Sequence, residues 1–120
     1  MANLEANKQL EERTLHFAVA VVRFVAGFPR NDAASVVGRQ LHKSGTSIGA
    51  NYREANRAES NDDFVHKTAI IVKESSEADY WLELCARTDL GDPVQRTPLT
   101  QEARELLAIF TTINRRATGR

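Results

Sequence analysis

The chain has 120 residues, enough for one domain that buries roughly two-thirds of the surface its unfolded form exposes. Its 16 Lys and Arg cancel 16 Asp and Glu, which disfavours a strong, indiscriminate polyanion binder at the level of the whole chain. A single cysteine rules out a disulfide framework and fits a reducing compartment. The first eight residues lack an apolar run with a positive flank, and no window approaches the roughly 18 uninterrupted apolar residues of a membrane span. The expected setting is therefore cytoplasmic, with no membrane partner.

The first predicted helix covers about residues 7–26, on the series Leu10, Thr14, Phe17, Val21, Phe24, Phe28. Alternating spacings of four and three average about 3.5 residues and keep one stripe facing a partner helix. Its apolar face is wide, and Gly27 followed by Pro29 stops it: glycine tolerates a chain reversal and proline cannot continue the ladder.

Asn31 or Asp32 caps the second helix, predicted over about 33–59 and about 40 Å long. Its stripe is Val37, Leu41, Ser44, Ile48, Asn51, Ala55, Ala58. Gly38, Gly45 and Gly49 each cost up to about 1 kcal/mol against alanine, so close packing, within the bundle or between subunits, must favour them. Ser60 caps the third helix, predicted over about 62–90, with Asp62 and Asp63 at its positive end and the stripe Phe64, Thr68, Ile71, Ser75, Ala78, Leu82, Cys85. Cys85 in that stripe reads as a buried small hydrophobe. Gly91, Asp92 and Pro93 break the chain, and Thr97 with Pro98 restarts a fourth helix over about 98–117, striped by Leu99, Ala103, Leu106, Phe110, Ile113, Ala117. Arg115 and Arg116 suit its negative end, and Gly119 and Arg120 form a frayed tail. Four stripes with short breaks predict a single all-α domain over 1–120, an antiparallel up-and-down four-helix bundle.

No catalytic constellation accompanies these stripes. A carboxylate-bridged metal core needs Glu from two helices and Glu-x-x-His from the other two; the nearest match is Asp63-x-x-His66, and the inward positions are apolar. His16, His42 and His66 fall on three different helices without an i, i+4 partner, so no metal is expected. Ser44, Ser47, Ser75 and Ser76 sit inside helices, where hydroxyls bond back to the preceding turn. No phosphate-binding or dinucleotide glycine motif is present, so no cofactor and no enzymatic activity are expected.

Charge is unevenly placed. Six basic and two acidic residues lie from Arg23 to Arg57, against seven acidic and two basic from Glu59 to Glu83. Arg39, Lys43, Arg53 and Arg57 fall within about 80° of one another, nearly opposite the apolar stripe, as a ridge about 27 Å long. Their like-charge i, i+4 pairs are each unfavourable by a few tenths of a kcal/mol, which an anion would offset. A phosphate backbone is the functional candidate; a solvated face, or pairing with third-helix acids, is the alternative. Gln40, Ser47, Asn51 and Glu54 form a second polar line beside the stripe, matched on the third helix by Lys67, Glu74, Glu77 and Trp81. With Tyr80, which is large and amphipathic, they are the expected subunit interface, preferred to a ligand pocket.

Gln40-Leu41, then Ser47-Ile48-Gly49-Ala50-Asn51-Tyr52-Arg53-Glu54, then Lys73-Glu74-Ser75 and Glu77-Ala78-Asp79-Tyr80-Trp81-Leu82 resemble the four-helix-bundle protein family encoded in 23S ribosomal RNA intervening sequences. The family pattern is Ser-Ile-x-Ala-Asn-Ile-Ala-Glu-Gly followed by a Lys/Glu-rich segment and Tyr-Trp-Leu. This chain departs from it at Gly49, Tyr52, Arg53 and Ala55. The resemblance implies an all-helical subunit, a homo-oligomeric ring that is commonly a pentamer, and no known catalysis. It also implies a fold similar to the accessory variability proteins of diversity-generating retroelements, which bind nucleic acid and reverse transcriptase. The expected function is a small homo-oligomer that binds RNA or a ribonucleoprotein; the competing expectation is a structural or protein-interaction scaffold.

Overall fold

The computed structural model describes residues 3–119 and forms four helices: α1 (Leu4–Ala26), α2 (Asp32–Ala55), α3 (Asn61–Arg87) and α4 (Pro93–Thr118). Each packs on its neighbours in sequence and α1 closes onto α4, so the order around the bundle is α1, α2, α3, α4. The molecule measures 46 × 23 × 20 Å. The four predicted stripes converge on one core, in which Phe17, Val21, Phe24, Leu41, Ile48, Ile71, Leu82, Cys85, Leu106 and Phe110 are buried.

Helix ends depart from the sequence expectations for local reasons. Helix α1 starts three residues earlier because Asn3 caps it, its side chain accepting from the backbone N–H of Glu5 and Ala6, each at 3.1 Å. Its far end uses no glycine reversal: Gly27 has φ −87°, and its N–H bonds the Phe24 carbonyl. Helix α2 ends at Ala55 rather than near Glu59, with Asn56 as its last cap and Arg57 in the following turn. Helix α3 ends at Arg87; Asp89 at φ 55° turns the chain, and the Leu90 N–H bonds the Cys85 carbonyl at 2.8 Å. Helix α4 begins at Pro93, not Pro98, because the Asp92 side chain accepts from the Val94 N–H at 2.9 Å and Pro93 fills the first helical position. Pro98 is carried inside the helix, and Thr97 bonds back to the Pro93 carbonyl instead of capping. Gly119 ends α4 in the left-handed conformation at φ 79°; Arg120, the other half of the expected frayed tail, lies outside the described residues.

Glycines on α2 face α1 within the bundle. A Cβ on Gly45 would lie 2.9 Å from both methyls of Val21, which is fully buried, and one on Gly49 would lie 3.0 Å from Thr14 Oγ1. On Gly38 it would meet a Val25 methyl at 3.1 Å, and Val25 is only half-buried. Alanine gains up to about 1 kcal/mol of helix propensity at each site, but overpacking costs about 1–3 kcal/mol where the neighbour cannot move. Gly45→Ala is therefore expected to lower stability by about 1–2 kcal/mol while Gly38→Ala stays near neutral. Urea denaturation of the two variants side by side checks this; a Gly45→Ala variant as stable as wild type would contradict it.

Candidate nucleic-acid interface and subunit surfaces

Helical periodicity decides where each α2 side chain goes. Residues facing α1 are the glycines; residues facing α3 are small or hydrogen-bonding; those opposite the core are basic. Arg39, Lys43, Arg53 and Arg57 are all exposed. Arg39 donates from Nη1 to Ser35 Oγ at 2.7 Å, one turn earlier on the same helix. Arg53 approaches Glu11 of α1 at 3.9 Å, too long for a strong pair on a half-exposed side chain. Among the described residues, Arg39, Lys43 and Arg57 have no carboxylate within 4.0 Å in their own chain. Arg57 extends the ridge from the turn beyond Ala55 rather than from the helix, so the ridge is continuous across a helix end.

The two polar boundary lines meet each other across the α2–α3 seam. Lys67 Nζ bonds Glu54 Oε1 at 3.0 Å, and that bond raises the Lys67 ammonium above its ordinary range. Asn51 donates to the Ser47 carbonyl at 2.8 Å. Glu74 is 8% exposed, and burial pushes its carboxyl above the usual range, reinforced by a hydrogen bond with Glu77 and opposed by Ser47 and by the charge of Lys43. A carboxyl pair this close ionises fully only at a cost that a further cation would reduce. Gln40 and Glu54 stay exposed, Trp81 and Glu77 are half-buried, and Tyr80 is 60% exposed with its ring edge-on to Trp81 at 5.0 Å.

Other polar groups have structural partners. Arg13 of α1 forks onto Glu102 of α4 at 2.7 and 2.8 Å and reaches Glu105 at 2.9 Å; the Glu102 bond raises its already high pKa. Arg104 ties α4 to Asp79 and Glu83 of α3 at 3.0 and 3.2 Å, and Asn114 donates to Thr68 Oγ1 at 2.9 Å. Burial pushes the Cys85 thiol up to about 11, so it is inert at neutral pH. Among the described residues no group of three or more His, Cys, Asp and Glu could hold a metal ion, and no helix is long and apolar enough to cross a membrane.

Sequence reasoning did not single out one further surface. The outer face of α1 carries Leu15, Val19 and Val22, 43%, 40% and 41% exposed, beside a groove of about 530 Å³ shared with α2 and completed by Ala18, Thr46 and Ala50. Arg23 and Arg53 stand at its margins. A second groove of about 550 Å³ separates α1 from α4, lined by His16, Ala20, Pro98 and Leu99. The signal lies in the sequence: Leu15, Val19, Val22, Ala26 repeat at four, three and four, beside the core stripe.

With this geometry in place, comparison with known proteins is informative. A family described as 23S rRNA-intervening sequence protein matches residues 7–112. A solved structure of a protein of unknown function from the S23 ribosomal protein family of Bacteroides thetaiotaomicron VPI-5482 superposes with a TM-score of 0.81 at 34% identity, over 91% of this chain and 97% of that one. No curated protein matches. Neither description carries an enzymatic activity.

Proposed function

The chain belongs to the 23S rRNA-intervening sequence protein family, and from that premise we propose that it is a non-enzymatic, homo-oligomeric accessory protein that binds RNA or a ribonucleoprotein through the basic ridge of α2. The observation that carries the reading is the ridge itself: Arg39, Lys43 and Arg57 are exposed, like-charged and free of carboxylate partners in their own chain among the described residues. A net charge of zero makes a single copy a weak binder. Repetition of the ridge in an assembly, with a pentamer favoured by the family resemblance, converts weak single contacts into avidity. The scaffold reading draws support from Arg53, the ridge member that leans on Glu11.

Replacing Arg53 and Arg57 with glutamine is expected to preserve helicity, since both are exposed, and to weaken RNA binding. The slope of log affinity against log salt should flatten by about 0.7–0.9 for each phosphate that the variant no longer neutralises. Filter binding across a salt series measures it. Unchanged slope with RNA still bound would move the binding surface elsewhere, Arg115 and Arg116 of α4 being next in line, whereas no wild-type binding at low salt would leave the scaffold.

A further inference from the structure

The outer α1–α2 groove and the exposed Tyr80 are complementary in shape and charge, and they lie on adjacent sides of the bundle. The groove is apolar and open, with Leu15, Val19 and Val22 at its floor and ridge. Tyr80 projects from α3 beside the α2–α3 seam, stiffened by its edge contact with Trp81. A rigid aromatic entering an apolar groove is the usual anchor of a protein interface. Charge agrees: Arg23 at the groove margin has no carboxylate within 4.0 Å among the described residues, while Glu77, one turn before Tyr80, shares a crowded site with buried Glu74. Each side supplies what the other lacks.

We propose that the α1–α2 groove docks the Tyr80 face of a second copy of this chain. The proposal deepens the oligomeric part of the function proposed above and is independent of whether RNA binds. Because groove and knob are different surfaces, the contact is head-to-tail, and it propagates until the rotation closes a ring or a filament grows. The two faces adjoin along α2, so their outward directions are about 90° apart; closed rings need about 90° for four subunits and about 108° for five, so a small ring results. In such a ring α2 is the edge nearest the axis, and the ridges of Arg39, Lys43 and Arg57 surround a shared opening.

Sedimentation equilibrium of wild type, Val19→Asp, Tyr80→Asp and an equimolar mixture of the two variants tests the proposal. Measurement at about 0.3 M salt screens the clustered ridges. Both substituted positions are well exposed, and circular dichroism confirms that each variant keeps its helices. Wild type is expected as a discrete species larger than a dimer, and each variant as a 13.4 kDa monomer. The mixture should give a heterodimer of twice the 13.4 kDa chain mass, because the intact knob of one variant fits the intact groove of the other and neither can extend further. A monomeric wild type would overturn both this contact and the oligomeric reading. An assembled wild type whose variants assemble unchanged, or whose variants stay monomeric when mixed, would overturn this contact alone.

Discussion

Ile48→Asp and Ile71→Asp are each expected to leave the chain largely unfolded at room temperature. Both side chains are fully buried in the core, on α2 and α3 respectively. Aspartate there either ionises without a counter-charge or folds protonated with unmet hydrogen bonds, and also removes apolar contacts; the combined cost is more than about 4 kcal/mol. A domain of this size has about 5–15 kcal/mol of stability in all. Loss of the cooperative thermal transition by circular dichroism would be the result. A near-wild-type melting temperature in either variant would mean that the side chain escapes to solvent.

Gly91→Ala is the second large effect, although it adds one methyl group in a loop. Gly91 sits at φ 83°, a left-handed conformation costing a residue with a Cβ about 1–2 kcal/mol. The added Cβ would lie 2.5 Å from the ring of Phe24, which is fully buried, and 2.8 Å from that of Phe28. The two rings pack edge-to-face at 5.1 Å and close the end of the core, so neither can withdraw without opening a cavity. Conformation and overpacking together should lower stability by about 2–5 kcal/mol. Urea denaturation at constant m-value measures it; a loss under about 1 kcal/mol would show that the α3–α4 turn shifts freely.

Architecture was legible because a bundle is written in its apolar spacing, and each predicted stripe supplied core residues. Helix ends were less so. Asn3 as a cap is one polar residue among several near the amino end, and the choice between Pro93 and Pro98 depends on which residue ahead of it reaches the free N–H groups, which Asp92 does and Thr97 does not. The basic ridge was readable because exposure opposite an apolar stripe follows from helical angle alone. The polar boundary lines were also readable as lines, but spacing within a helix does not say that Glu54 meets Lys67, or that Glu74 is buried against Ser47 in its own chain. The outer stripe of α1 was visible as a wide apolar face, and only packing separates Phe17 and Val21, which are covered, from Val19 and Val22, which are not.

The seam between the first and last helices bears on how fast the protein comes apart. Helices α1 and α4 touch less extensively than the other adjoining pairs, and their chief polar link joins Arg13 to Glu102, 89 residues distant. Every other seam joins helices that follow one another in the chain, so its loop closes at small entropic cost. The order expected from loop closure is three hairpin contacts first and the terminal seam last, beyond the folding barrier. Interactions formed after the barrier govern the rate of unfolding and leave the rate of folding almost untouched. The arginine fork is thus a latch on the native state's lifetime.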